Sequence, residues 1–527
     1  MARPQRARAA RSSRALGAMP AGVAGEMQSP LRGEESRLPA GSVLLSILRN
    51  AGPAVLTNLT GFVNETTNAL FIGRYGDHKA LAAVGLGNML QNCCGLSIGM
   101  GLASAMDTLI SQAYGAGHSE LSAVYLQRAR VICSVQMLWI LPVLVFSGHW
   151  LTAIGQDPDV ANYAAEYNGM SAPFLLCFFH ASATRRFLAS MLRPRAAVYV
   201  GAIVAVFHVL WCFVFVAHLG LGNRGLGLAN GVSWTLRACL LSGYLWWVAP
   251  ELGLERRKLL GLQREAFRGW CEYMRIALPA LVQTCSEWWF WEVCTLVIGY
   301  LGSEALAAHT ATQNVLTLAL MVPFGISGAA AALCGNALGA WRPALARQTA
   351  RLSVALAAVV WLILSIALTL LREYVAGAFT QDPEVRRLMC VLLLINLWCS
   401  GFLSSSSNVM GGVCRGIRKL KEASSIYLIS YWCIMLPVGL ILAFPLRCGL
   451  EGVYIAMAVG SGMSAIAFAR LLLLADWRQL AEVAAARVAR DAREASSPRD
   501  ARELPPPVAK EGPAADAGAE EPPPPAP

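Results

Sequence analysis

The chain has 527 residues, 56% of them hydrophobic and 14% charged, with a net charge of +11 and a mean hydropathy of +0.49. So apolar a composition excludes an ordinary soluble domain and leaves a protein that crosses a bilayer many times. The positive charge does not point to nucleic acid, because it follows the short loops between apolar runs.

Residues 1–40 hold seven arginines and no acid before Glu26. This composition fits an organellar transit peptide and, equally, a disordered basic tail over 1–41. Twelve apolar runs follow, at about 45–72, 80–112, 122–148, 159–184, 196–219, 225–249, 276–302, 305–335, 350–371, 385–412, 424–446 and 449–475. Each is near or above the roughly 20 residues that a bilayer-spanning helix needs. The expected fold is an all-α membrane protein of twelve transmembrane helices. A polar segment at 251–274 separates a first six-helix lobe (42–250) from a second (275–478), and residues 479–527 read as a disordered Pro-rich tail.

With both termini in the cytosol, the inner loops carry eighteen Lys and Arg residues, among them Arg128, Arg186, Arg257 and Arg418, against seven on the outer side. That asymmetry is what the positive-inside rule requires of an even helix count. The fifteen cysteines lie almost entirely inside apolar runs and form no CxxC or Cys/His cluster. They read as small apolar fillers, so neither a metal nor a cofactor is expected.

The two sets of six helices match one another. "AGPAVL" at 51 aligns with "ALPALV" at 277, "QAYGAG" at 112 with "GNALGA" at 335, and "QDPDV" at 156 with "QDPEV" at 381. A duplicated unit in the same orientation gives two pseudo-symmetric lobes around a central cavity, an architecture in which rocking exposes a site to each side in turn. In the third pair Asp157 and Asp382 suit a helix N-cap, and the prolines after them suit the first turn.

One stretch resists a packing explanation. "SEWWFWEV" (286–293) sets Glu287 and Glu292 in the seventh apolar run. They are five residues apart, roughly 140° around a helix and about 7.5 Å along it, too far for one shared proton. A carboxylate near the bilayer midplane costs at least roughly 2.5 kcal/mol and is a functional group by default. A proton and a cationic substrate would relieve that cost in competition, which is the logic of an exchanger. Trp291 follows Glu287 by four residues and Trp288 precedes Glu292 by four, so each acid shares a face with an aromatic ring that attracts organic cations.

"MDTLISQAYGAG" (106–117), "SEWWFWEV", "CGNALGA" (334–340) and "GGVCRG" (411–416), in this order on twelve helices, resemble the multidrug and toxic compound extrusion (MATE) transporters, in particular the eukaryotic branch. The resemblance covers about 42–478. It implies secondary antiport, in which an organic cation or other amphiphile leaves as a proton, or in some relatives sodium, enters. Glu287, Glu292 and Glu65 are then the proton- or cation-binding candidates. Trp288, Trp291, Asn68, Asn314 and His208 are the candidate substrate-cavity residues, and Asp107 and Gln112 those of a gate or hydrogen-bond network. Bacterial relatives commonly have an aspartate where Asn68 stands, and Glu65 one turn earlier is the candidate to replace it. Where asparagines are usual on the fifth helix, His208 and Cys212 stand here. Arg237, inside the sixth helix, requires a partner that the sequence does not name.

The expected partners are a small-molecule substrate, protons and the lipid bilayer, with a monomer as the working unit. The plasma or vacuolar membrane is the expected location, an organellar membrane the alternative. A flippase for lipid-linked or polysaccharide precursors has the same broad architecture but favours a basic cavity. An enzyme is not expected, because HExxH and His-rich loops are missing from the sequence.

Overall fold

The computed structural model describes residues 38–260 and 263–495, and among these every regular element is helical. The Arg-rich segment before Leu38 and the Pro-rich stretch after Ala495 lie outside the described residues. The long helical runs are α1 (Ala40–Tyr75), α2 (His78–Gly115), α3 (Ser119–Val145), α4 (158–190), α5 (Arg195–His218) and α6 (Gly222–Val248). The second lobe repeats them as α7 (Trp270–Gly299), α8 (Ser303–Gly339), α9 (Pro343–Phe379), α10 (Pro383–Gly416), α11 (Leu420–Ala443) and α12 (Gly449–Leu473).

Eight of these runs, α2, α3, α5 and α8 to α12, are long and apolar enough in themselves to cross a membrane. The other four, α1, α4, α6 and α7, carry Glu65, Arg185, Arg186, Arg237, Glu287 and Glu292. Charged groups persist at such depth only where they face the interior of a bundle or a water-filled space. The repeated QDP motifs start α4 and α10 as expected. Asp157 accepts hydrogen bonds from the backbone N–H groups of Asp159 and Val160, and Asp382 from those of Glu384 and Val385.

The even-numbered helices all end at one face, and there the lobes share their cores. Leu102, Met106 and Leu109 of α2 cluster with Tyr273, Ile276 and Ala280 of α7, while Val43, Ile47 and Ala51 of α1 cluster with Ile326, Ala330 and Leu333 of α8. Toward the opposite face each lobe keeps a core of its own. Ile72, Val84, Tyr167 and Leu226 form one; Phe290, Ile298, Leu392 and Tyr454 form the other. The lobes therefore share cores at one end, the closed face, and keep separate cores toward the other.

A thirteenth helix, α13 (Trp477–Ala495), corrects the expectation of a disordered tail from residue 479. Its buried residues Trp477, Ala481, Ala484, Val488 and Ala492 recur every three or four positions, which makes one apolar face. That face lies across the closed end, Trp477, Ala481 and Ala484 on the α1–α8 core, Val488 and Ala492 on the α2–α7 core.

Candidate functional site

The first lobe lines its interior with a chain of neutral polar groups. The Ser233 hydroxyl meets His208 Nδ1 at 2.9 Å, and His208 Nε2 meets Asn68 Oδ1 at 2.9 Å. Asn68 donates to Asn230 Oδ1 at 3.0 Å, Asn230 to the Tyr167 hydroxyl at 2.8 Å, and Tyr167 to Asn88 Oδ1 at 2.7 Å. The two links at His208 fit Nε2 as the donor to Asn68 and Nδ1 as the acceptor from Ser233. Asn68 and His208 are both buried. Beside its Tyr167 end lies the carboxyl of Glu65, which is exposed and has no hydrogen-bond partner among the described residues.

The second lobe places two carboxyls on α7, and they point to different neighbours. Glu287 faces its own lobe, within electrostatic reach of Arg415 at the end of α10 and of Tyr427 and Tyr431 on α11. Among the described residues neither of its oxygens accepts a hydrogen bond. Glu292 faces the other lobe, where the Asn92 side chain reaches it. Asn92 opens a π-helical turn of α2 (Asn92–Leu96), a distortion that re-aims side chains and recurs at functional sites. The 140° separation expected from the helical spacing thus appears as two distinct environments.

The aromatic residues divide in the same way. Trp288 is half-buried, whereas Trp291 packs edge-on against Phe290 and onto the core of the second lobe. Trp289, which the spacing argument passed over, donates its indole N–H to the Cys93 carbonyl of α2 at 3.1 Å and so joins the lobes next to the Asn92–Glu292 pair. Asn314 on α8 is exposed.

Below these groups the closed face is held by two locks that the repeat relates. Gln112 of α2 donates to the carbonyl of Gly416, the last residue of α10, at 2.8 Å. Asn336, its counterpart on α8, donates to the carbonyl of Ser190, the last residue of α4, at 2.9 Å. Each lock satisfies a helix C-terminal carbonyl that has no partner within its own helix. Close approach is required for both, and glycine supplies it. A Cβ on Gly115 would run into the Asn336 carbonyl, and one on Gly339 into that of Gln112.

Asp107 completes the gate. Its carboxylate pairs with Arg186 of its own lobe at 2.7 Å and with Arg415 of the other at 3.6 Å. Arg415 also donates to Ser327 Oγ at 2.9 Å. One guanidinium therefore touches the gate acid and lies within reach of Glu287. On the outer surface of the closed face a cavity of about 520 Å³, lined by Tyr125, Arg128, Glu265, Glu272, Arg490 and Asp491, lies between α3, the inter-lobe linker and α13. It is remote from Glu287 and Asn68.

Among the described residues no three His, Cys, Asp or Glu side chains come together in a way that would hold a metal ion. The MatE family model matches residues 53–214 and again 279–441, once in each lobe. The multidrug and toxin extrusion protein 2 of Mus musculus is 31% identical over 437 residues, 83% of this chain and 75% of that protein. The chain belongs to the MATE family. Protein DETOXIFICATION 16 of Arabidopsis thaliana is 28% identical over 466 residues, 88% of this chain and 94% of its own length. The fold matches the crystal structure of the eukaryotic MATE transporter AtDTX14 with a TM-score of 0.78 at 23% identity, covering 85% of this chain and 99% of that one. As a MATE protein the chain is an integral membrane transporter.

Proposed function

We propose that this MATE protein exports organic cations or cationic amphiphiles in exchange for protons by alternating access. The observation that carries the reading is Glu287, a carboxyl inside a membrane helix with no hydrogen-bond partner, next to aromatic rings and to a gate arginine. Such a group is relieved by a proton or by a cation, and the two compete. In the ionised empty state Glu287 and Asp107 share Arg415 and hold the closed face shut. A proton or a cation on Glu287 removes one of these anchors and lets the lobes rock, so that only the loaded protein reorients. The charge of the loops favours a cytosolic closed face, which leaves the space between the lobes open outward, ready to release substrate and take up a proton. Glu292 and Glu65 line that space as second and third acids, with Trp288 beside them.

The test is exchange in proteoliposomes under an imposed proton or sodium gradient, with cationic dyes as cargo. Proton-driven, saturable exchange that Glu287→Gln abolishes in a monodisperse protein supports the reading. Full coupled exchange in that variant rejects it, and exchange driven by sodium alone replaces the proton with sodium as the coupling ion.

A further inference from the structure

The inter-lobe linker holds more base than its acids can pair. Residues 251–270 carry Glu251, Glu255 and Glu265 against Arg256, Arg257, Lys258, Arg264 and Arg268. Glu251 pairs with Arg193 at 3.3 Å. Lys258 takes Glu255 at 3.5 Å and Glu120 at 3.2 Å. The four arginines are exposed and have no ion pair among the described residues, so Glu265 is the only acid of the segment left to offset them.

A tether between two lobes needs no fixed shape, yet this one has one. Leu252, Leu254 and Leu259 turn into the core that α3 and α6 share, and three side chains of α3 fasten the backbone. Gln127 donates to the Lys258 carbonyl and accepts from the Gln263 N–H at 3.0 Å. Arg128 donates to the Glu265 carbonyl at 3.3 Å, and Arg130 to that of Leu259 at 3.0 Å. Leucines thus face inward while the four arginines stay at the surface.

That surface also carries aromatic rings. Arg256 lies over the Trp246 ring of α6, 4.3 Å from its centroid. Trp246 and Trp247 are exposed in the last turn of α6, and Phe267 is exposed near the other end of the linker. Exposed tryptophans at the end of a membrane helix mark the headgroup layer. A ring covers only the face of a guanidinium, so the in-plane N–H groups of Arg256 stay free for a phosphate. Setting the orientation of a loop requires positive charge but no such fixed placement beside ring anchors.

We propose that the linker is a docking surface for anionic phospholipids of the leaflet at the closed face. Arg256, Arg257, Arg264 and Arg268 take the headgroup phosphates, and Trp246 and Phe267 stand in the interfacial layer. Because the linker is fastened to α3, lipid held there anchors the first lobe. The inference concerns the bilayer and not the cargo, so it stands apart from the exporter reading.

The test uses the full chain in mixed micelles with equal amounts of phosphatidylserine and phosphatidylcholine, and mass spectrometry counts the lipids retained through purification. The wild type is expected to enrich phosphatidylserine by about tenfold, and the combined variant Arg256→Gln, Arg257→Gln, Arg264→Gln and Arg268→Gln to retain both lipids about equally. A control carries Arg347→Gln and Arg351→Gln, two exposed arginines without an ion pair near the closed-face end of α9, and is expected to keep the enrichment. No enrichment in the wild type, an unchanged ratio in the linker variant, or an equal loss in the control overturns the proposal. A photoreactive phosphatidylserine on the wild type gives a readout that needs no variant. Its crosslinks are expected within 246–270, and crosslinks confined to other segments overturn the proposal. Inorganic phosphate is expected to leave them in place at matched ionic strength; their loss assigns the arginines to a soluble anion and overturns the lipid reading. Neither measurement involves exchange, so a failure of Glu287→Gln to uncouple transport leaves both untouched.

Discussion

In the first lobe Asn68 sits in a chain of hydrogen bonds running from Ser233 through His208, Asn230 and Tyr167 to Asn88. In the second lobe Glu287 on α7, the counterpart of α1, meets Arg415 and two tyrosines through space and accepts no hydrogen bond among the described residues. One repeated scaffold thus carries a closed chain of neutral groups, with Glu65 at its edge, on one side and an acid within reach of an arginine and two tyrosines on the other. A closed network resists change because removing any member strands its neighbours. An acid without hydrogen bonds responds to whatever arrives. The duplication repeats the scaffold, while the polar side chains that it carries differ between the halves.

Four substitutions probe this contrast, in descending order of effect. Glu287→Gln removes the responsive acid at nearly constant shape and is expected to abolish proton-driven exchange, as read in proteoliposomes. Gly339→Val forces a side chain against the Gln112 carbonyl and is expected to cost about 1–3 kcal/mol of the closed arrangement, seen as a lower melting temperature in detergent. Asn68→Ala leaves the Asn230 carbonyl and the His208 N–H unpaired at a cost of about 1–3 kcal/mol. Its melting temperature is expected to fall while the exchange that remains is still driven by protons. Uncoupled exchange in this variant would put the responsive group in the first lobe instead. Trp289→Phe loses one hydrogen bond, to Cys93, and is expected to lower stability by about 0.5–1.5 kcal/mol, with unequal effects on opening and on closing rates in a stopped-flow dye assay.

The twelve helices, the repeat and the QDP caps were legible because each is written in local signals, namely hydropathy, spacing and a capping aspartate followed by proline. Glu287 and Glu292 were legible for the same reason, since an acid in an apolar run is visible without a partner. Their surroundings were not. Asn92 reaches Glu292 only because α2 carries a π-helical turn there, and Trp289 finds Cys93 only because α2 and α7 lie side by side. Gln112 and Asn336 were visible as members of matched motifs, but that each caps a helix end of the opposite lobe follows from the crossing of α2 and α8. Helix α13 also leaves a trace in the sequence. Trp477, Ala481, Ala484, Val488 and Ala492 form an apolar stripe, obscured by the arginines between them and by the proline-rich stretch that follows.

Helix α13 treats the two locks unequally. Arg487, only 4% exposed, donates to the side-chain oxygen of Gln112 at 2.9 Å, and Tyr125 donates to Asp491 one turn further on at 2.6 Å. No corresponding side chain of α13 reaches Asn336 among the described residues. An inward swing of the lobes therefore meets a weaker latch on the Asn336–Ser190 side and a bolted one on the Gln112–Gly416 side. Parting of the lobes is expected to begin at that weaker edge, with the C-terminal helix delaying the second.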